Sequence, residues 1–156
     1  MNKDLDQEYM LLAIKEAKKA LEKDEVPIGA IIVKDNEIIS KAHNLKEKTN
    51  DPTAHAEIEA IKKASKRLKN WRLNNCTMYV TLEPCFMCMA AIMESRIERL
   101  VFALKDKKRG AAGSVINLKD INKYHKIKIE SGICEKDSNN LLNEFFEKIR
   151  LRGKRK

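Results

Sequence analysis

In the first stretch of the chain, apolar residues recur at three- and four-residue spacing. Met10, Ala13, Ile14, Ala17, Ala20 and Leu21 make one stripe, which predicts an amphipathic helix from Leu5 to Lys23. The period then changes. Val26 to Val33 is a nearly unbroken apolar run and reads as a buried strand; Asp35-Asn36 supplies a turn, and Glu37 to Ala42 reads as the hairpin partner. Pro52-Thr53 offers a helix start, and Ala56 to Leu68 continues as a helix with Ile58, Ala60, Ile61 and Ala64 available to a core. Cys76 to Leu82 reads as a third strand. Pro84 opens a short helix reaching Met93, since proline is favoured in a first helical turn. Ile97 to Leu104 gives a fourth strand and Lys126 to Glu130 a weaker fifth. Asp137 to Arg150 closes the pattern as a helix carrying Leu141, Leu142, Phe145, Phe146 and Ile149. Strands alternating with helices in this order imply one α/β sheet covered by helices.

Composition narrows the class. A chain of 156 residues is the size of one domain, and 43% hydrophobic with 35% charged residues suits neither a disordered nor a membrane protein. No apolar run is long enough to span a bilayer, and the charged, helix-like start lacks a signal-peptide core, so a cytoplasmic protein is expected. The net charge of +9 is unevenly spread. Residues 148–156 hold six basic and no acidic residues, whereas the remaining 147 carry 26 basic and 23 acidic. The expected organisation is therefore a domain over 1–150 with a basic tail over 151–156. Smaller basic groups lie at Lys62 to Arg72 and Lys105 to Arg109. Such clusters suit a polyanionic partner, although a solubilising tail and solvated helix faces would look the same.

Four cysteines, two of them in a Cys85-x-x-Cys88 pair, point to metal or redox chemistry rather than a disulfide scaffold. Cys76 and Cys134 read as small, buried apolar residues. The pair falls on the first turn of a helix, so both thiols face one way and the helix start stabilises thiolates. His55 begins another helix on the far side of one strand, and two crossovers in one parallel sheet can bring their helix starts to the same edge. One imidazole and two thiolates bind zinc with no net charge and leave a fourth position open, the catalytic arrangement. His43 and His125 have no partner at metal-ligand spacing. Water in the open position becomes nucleophilic near neutral pH and needs a proton shuttle, for which Glu57 is the candidate. In an ideal helix His55 and Glu57 diverge by about 200°, so their convergence requires an irregular helix start at His55. Read alone, a C-x-x-C serves equally as a redox pair, and Glu57 as a cap for its own amides.

His55-Ala56-Glu57 and Pro84-Cys85-x-x-Cys88 together resemble the signature of the zinc-dependent cytidine/deoxycytidylate deaminase superfamily. Further segments make the chain most similar to the bacterial tRNA-specific adenosine deaminases: Glu25-Val26-Pro27-Ile28-Gly29-Ala30, Ala42-His43-Asn44, Asp51-Pro52-Thr53-Ala54, Tyr79 to Glu83, Gly110 to Ser114, and Phe145-Phe146. The resemblance implies a three-layer fold with a central five-stranded mixed sheet flanked by helices. It implies one zinc ion per subunit on His55, Cys85 and Cys88, with Glu57 moving protons. It implies that Asn44 fixes the target nucleotide, that Lys46, Arg72, Phe146 and Arg150 contact the anticodon loop, and that a homodimer converts the wobble adenosine of an arginine tRNA to inosine. Lys46 stands where arginine is usual. Phe86 and Met89 stand where small residues are usual, a change expected to reshape one pocket wall.

Physical chemistry supports an RNA substrate independently. A deaminase must reach an atom that duplex stacking hides, and a loop with splayed bases exposes it. Phosphate contacts from lysine and arginine and a stacking surface would hold that loop. At least one of Phe145 and Phe146 is expected in the core, given their apolar stripe. Two other readings compete: a deaminase of free guanine, cytosine or a nucleotide on the same scaffold, and a non-catalytic zinc-stabilised RNA-binding module.

Overall fold

The computed structural model describes residues 2–154; Arg155 and Lys156 of the basic tail lie outside the described residues. The elements are α1 (Lys3–Glu22), β1 (Gly29–Lys34), β2 (Glu37–His43), α2 (Lys46–Thr49), α3 (Ala56–Leu68), β3 (Cys76–Leu82), α4 (Phe86–Glu94), β4 (Arg99–Leu104), α5 (Leu118–Ile121), β5 (Lys128–Ser131) and α6 (Glu135–Lys154). Every element anticipated from periodicity is present. The single-turn helices α2 and α5 are additional, β5 begins two residues later than the pattern suggests, and α6 continues past Arg150. No helix is long and apolar enough to cross a membrane.

The five strands order as β2-β1-β3-β4-β5. β1 pairs antiparallel with both β2 and β3, while β3, β4 and β5 run parallel. The sheet is thus mixed. Because β2 and β3 are both antiparallel to β1, they are parallel to each other, and the helices that follow them start at one edge. The β1–β2 hairpin turns at Asp35 and Asn36, both at positive φ (49° and 61°), as a two-residue turn with matching twist requires.

Alternation along the strands separates two cores. Ala30, Ile32, Met78, Val80, Leu100 and Phe102 face α3 and α4. Ile31, Val33, Tyr79, Val101 and Ala103 face α1 and α6, where they meet Met10, Ala13, Leu141 and Phe145. Gly29 lets α1 lie directly on the start of β1: a Cβ there would sit 2.0 Å from the Ala13 carbonyl oxygen and 2.6 Å from the Ala17 nitrogen. This contact fixes the residues leading into β1, Val26 and Ile28, at the rim of the cavity described next.

Candidate active site

The ends of β2 and β3 launch the two helices that matter. His55 is the N-cap of α3 with extended backbone (φ −73°, ψ 152°), and Cys85 holds the same place on α4 (φ −73°, ψ 178°). This is the irregular start that the pairing of His55 with Glu57 requires. The Asp51 carboxylate sets it up by accepting from the Thr53 N–H (2.8 Å) and hydroxyl (2.7 Å), and the His55 N–H then donates to the Thr53 carbonyl at 2.7 Å. Neither His55 nor Cys85 caps its helix with its side chain. They turn toward each other instead. His55 Nδ1 lies 3.7 Å from Cys85 Sγ and 3.3 Å from Cys88 Sγ, and the three ligand atoms fall within 4.8 Å of one another. A tetrahedral zinc with standard bond lengths holds nitrogen and sulfur about 3.6 Å apart. The trio fits that metal and could hold it without rearrangement.

Burial differs within the group. Cys85 is half-buried, while Cys88 is fully buried. The Cys88 thiol and the His55 ring pull the Cys85 thiol down to about 3, against the opposing effect of burial. Hydrogen bonding to Cys85, then burial, pushes the Cys88 thiol up. The Cys85 sulfur in turn raises the His55 pKa. Glu57, in the first turn of α3, is only 4% exposed, and its Oε1 has no hydrogen-bond partner. Burial pushes its carboxyl above the usual carboxylate range, and the nearby Cys85 sulfur adds to this. A buried carboxyl of raised pKa, with a free oxygen beside three metal-ligand atoms, is equipped to take up and release a proton.

The site opens into a cavity of about 560 Å³ at the carboxyl edge of the sheet, within the range that holds a small organic ligand. His55, Asn44, Lys46 and Phe146 line it, together with the loop from Lys105 to Arg109 after β4. The structure thus brings four of the sequence-derived residues to one mouth. Phe145 is buried against α1, whereas Phe146 is 55% exposed, with the two rings edge to face at 5.5 Å. Arg150 is exposed one turn further along α6. Arg72 is elsewhere: it follows α3 and precedes β3, at the opposite edge, its guanidinium 4.2 Å from the ring of exposed Trp71. Phe86 and Met89 do not line the cavity, contrary to expectation. Met89 is fully buried in the core under α4, and Phe86 points to solvent from its outer face.

Residues 4–150 match the model of the MafB19-like deaminase family. The tRNA-specific adenosine deaminase of Aquifex aeolicus is 52% identical over 150 residues, covering 94% of this chain and 97% of that one. That of Bacillus subtilis is 47% identical, covering 96% and 93%. The chain belongs to the tRNA-specific adenosine deaminases. A solved structure described in work on A-to-I editing by tRNA:A34 deaminases at the wobble position superposes with a TM-score of 0.81 at 41% identity, over 86% of this deaminase and 99% of that chain.

Two further acidic residues shape the pocket of the deaminase, and sequence patterning assigns them no role. Glu25 is fully buried, and its Oε1 accepts the Lys48 backbone N–H at 2.7 Å, which holds α2 and so Lys46 beside Asn44. The Asn44 Oδ1 accepts the Lys46 N–H at 3.2 Å. Glu83, immediately before Pro84-Cys85, is 3% exposed and surrounded by donors from the loop after β4. Both residues stand in segments that resemble the family, and that was their only signal.

Proposed function

We propose that the deaminase converts the wobble adenosine of a tRNA, an arginine tRNA foremost, to inosine with release of ammonia, in the cytoplasm and as a homodimer carrying one zinc ion per subunit on His55, Cys85 and Cys88. The observation that carries this reading is the buried Glu57, with an unpartnered Oε1, next to the His55, Cys85 and Cys88 trio, whose His55 lines a cavity of about 560 Å³ rimmed by cations. Zinc, when bound, supplies the Lewis acidity that makes water nucleophilic near neutral pH. The chain's own residues do the rest. Glu57 takes a proton from the attacking water and passes it to the purine ring nitrogen. It then carries the second proton to the amino group, which leaves as ammonia while the ring keeps the oxygen. Asn44 orients the nucleotide by hydrogen bonds, and Phe146 offers a flat surface to a neighbouring base. Lys46 at the cavity mouth and exposed Arg150, one turn beyond Phe146, supply cations for the phosphates flanking that nucleotide.

A helix that is apolar all round needs cover on both sides. The outer face of α4 exposes Phe86 and Ala90 beside half-buried Met87 and Ala91, which supports a second subunit there. Arg72, remote from its own subunit's cavity, would then serve RNA held by the partner subunit.

Zinc-replete protein incubated with tRNA and sequenced for adenosine-to-inosine change tests the reading directly. Conversion confined to the first anticodon position is expected. Absence of conversion, or robust turnover of free guanine or cytosine instead, overturns it. Metal analysis should find one zinc per chain, lost on chelation together with activity.

A further inference from the structure

Glu83 lies between the last strand residue and the metal-ligand turn, yet its carboxylate binds the loop after β4 rather than any metal-ligand side chain. Its Oε2 accepts the Asp106 N–H at 2.9 Å and the Ser114 hydroxyl; its Oε1 accepts the N–H groups of Ala112 (3.1 Å) and Ser114 (3.0 Å). The main chain adds two ties, Glu83 N–H to the Leu104 carbonyl at 2.8 Å and Ala111 N–H to the Pro84 carbonyl at 2.9 Å. Gly110 passes so close that a Cβ would stand 2.4 Å from the carboxylate. Asp106, thus anchored, closes the next turn: its Oδ1 accepts from Lys108 (3.0 Å) and Arg109 (3.1 Å), and its carbonyl from Gly110 (2.9 Å). This turn, Lys105-Asp106-Lys107-Lys108-Arg109, lines the cavity and holds four cations in five residues. None of the four is ion-paired among the described residues.

We propose that Glu83 is a positioning residue for substrate capture: it fixes the Lys105–Arg109 turn as a rigid cationic wall that holds RNA phosphates beside the pocket. The inference rests on the tRNA reading above. A buried carboxylate saturated with backbone donors orders the loop before RNA arrives, so the backbone part of the ordering cost is not paid on binding. Glu83→Gln keeps the shape but sets an amide donor against the Asp106 N–H or the Ala112 and Ser114 N–H groups. Gly110→Ala pushes on the same contact from the loop side.

In steady-state assays on zinc-loaded protein, both variants should raise KM for tRNA at least ~10-fold and leave kcat at saturating tRNA within about threefold. Both should retain one zinc per chain. The slope of log Kd for tRNA against log salt should fall by about one to two in each, reflecting lost phosphate contacts, and equally in Lys107→Ala/Lys108→Ala. A wild-type KM and slope in the Glu83 and Gly110 variants would overturn the assignment, as would an unchanged slope in the lysine variant. Loss of zinc, or a fall in kcat at constant KM, would place Glu83 with the metal site instead. Failure of both Glu83→Gln and Gly110→Ala to fold would make it a requirement of the fold and overturn it too. If wild-type protein leaves tRNA unmodified, the functional reading has failed, a result distinct from all of these.

Discussion

Two carboxylates in this molecule are equally shielded from solvent contact and oppositely treated, Glu57 being the more deeply enclosed. Asp6 on α1 and Glu57 on α3 are each 4% exposed. Asp6 accepts from the Tyr79 hydroxyl at 2.6 Å and from both terminal nitrogens of Arg99 at 2.8 and 2.6 Å, and Arg99 also binds Glu130. The Arg99 guanidinium holds the Asp6 carboxyl below its ordinary value, against the effect of burial. Glu57 has an oxygen with no partner, and its pKa moves the other way. Low exposure alone therefore says little about function. What separates these two carboxylates is that both oxygens of Asp6 are hydrogen-bonded, whereas Glu57 keeps one oxygen free beside the candidate metal ligands.

The largest expected effect breaks the reactive side of this contrast. Glu57→Gln should lower kcat for inosine formation by about 10²- to 10⁴-fold, the usual worth of a positioned acid–base. Zinc content should stay at one per chain and the melting temperature should not fall, because the site lacks a completed hydrogen-bond network to lose. Near wild-type turnover would remove Glu57 from the chemistry.

Arg99→Met addresses the structural side. Leaving Asp6 buried without its cation should cost about 3–5 kcal/mol in urea unfolding, while kcat per folded molecule stays near wild type. A kinetic defect larger than the stability loss explains would contradict the division drawn here.

Acid sharpens the same contrast more gently. Since the folded-state pKa of Asp6 is depressed, its ionised form contributes stability above the unfolded value near 3.8, and that contribution is lost as pH falls through the lower folded value. Between pH 5 and about 2.5 the stability of Asp6→Asn should fall less steeply than that of wild type. A residual slope should persist from Glu16, where Lys19 and His43 outweigh burial. Equal slopes in the two proteins would show that the Asp6 pair does not titrate with folding.

The smallest effect belongs to the exposed end of α6. Arg152 pairs with Asp24 at 2.8 Å, with more than half of each side chain in solvent. Arg152→Ala should change unfolding stability by less than about 1 kcal/mol, as exposed pairs do. A larger loss in thermal or urea melts would mean that the pair anchors α6.

Local spacing made much of this legible in the sequence. The stripe from Met10 to Leu21, the apolar runs of β1, β3 and β4, and the Cys85-x-x-Cys88 pair are read from near neighbours in the chain; His55 joins that pair across 30 residues and was legible through the resemblance. The misses share a different cause. The single turn of α2 carries no apolar period and is held by Glu25, more than twenty residues away. Glu83 meets its partners between residues 106 and 114, a relation that spacing cannot express. The hairpin turn showed that β1 runs against β2, but nothing local told that it also runs against β3, although the resemblance implied a mixed sheet. The position of Arg72 at the far edge follows only from knowing which strand end α3 leads away from.

The N-caps of α3 and α4 bear on any effort to make this protein hardier. Serine, threonine, aspartate or asparagine at such positions ordinarily gains about 1 kcal/mol per helix, and this chain places a histidine and a cysteine there instead. If His55 and Cys85 hold the metal as proposed, the two positions a stabilising redesign would improve first are the two it must leave alone, and added robustness has to come from elsewhere in the chain.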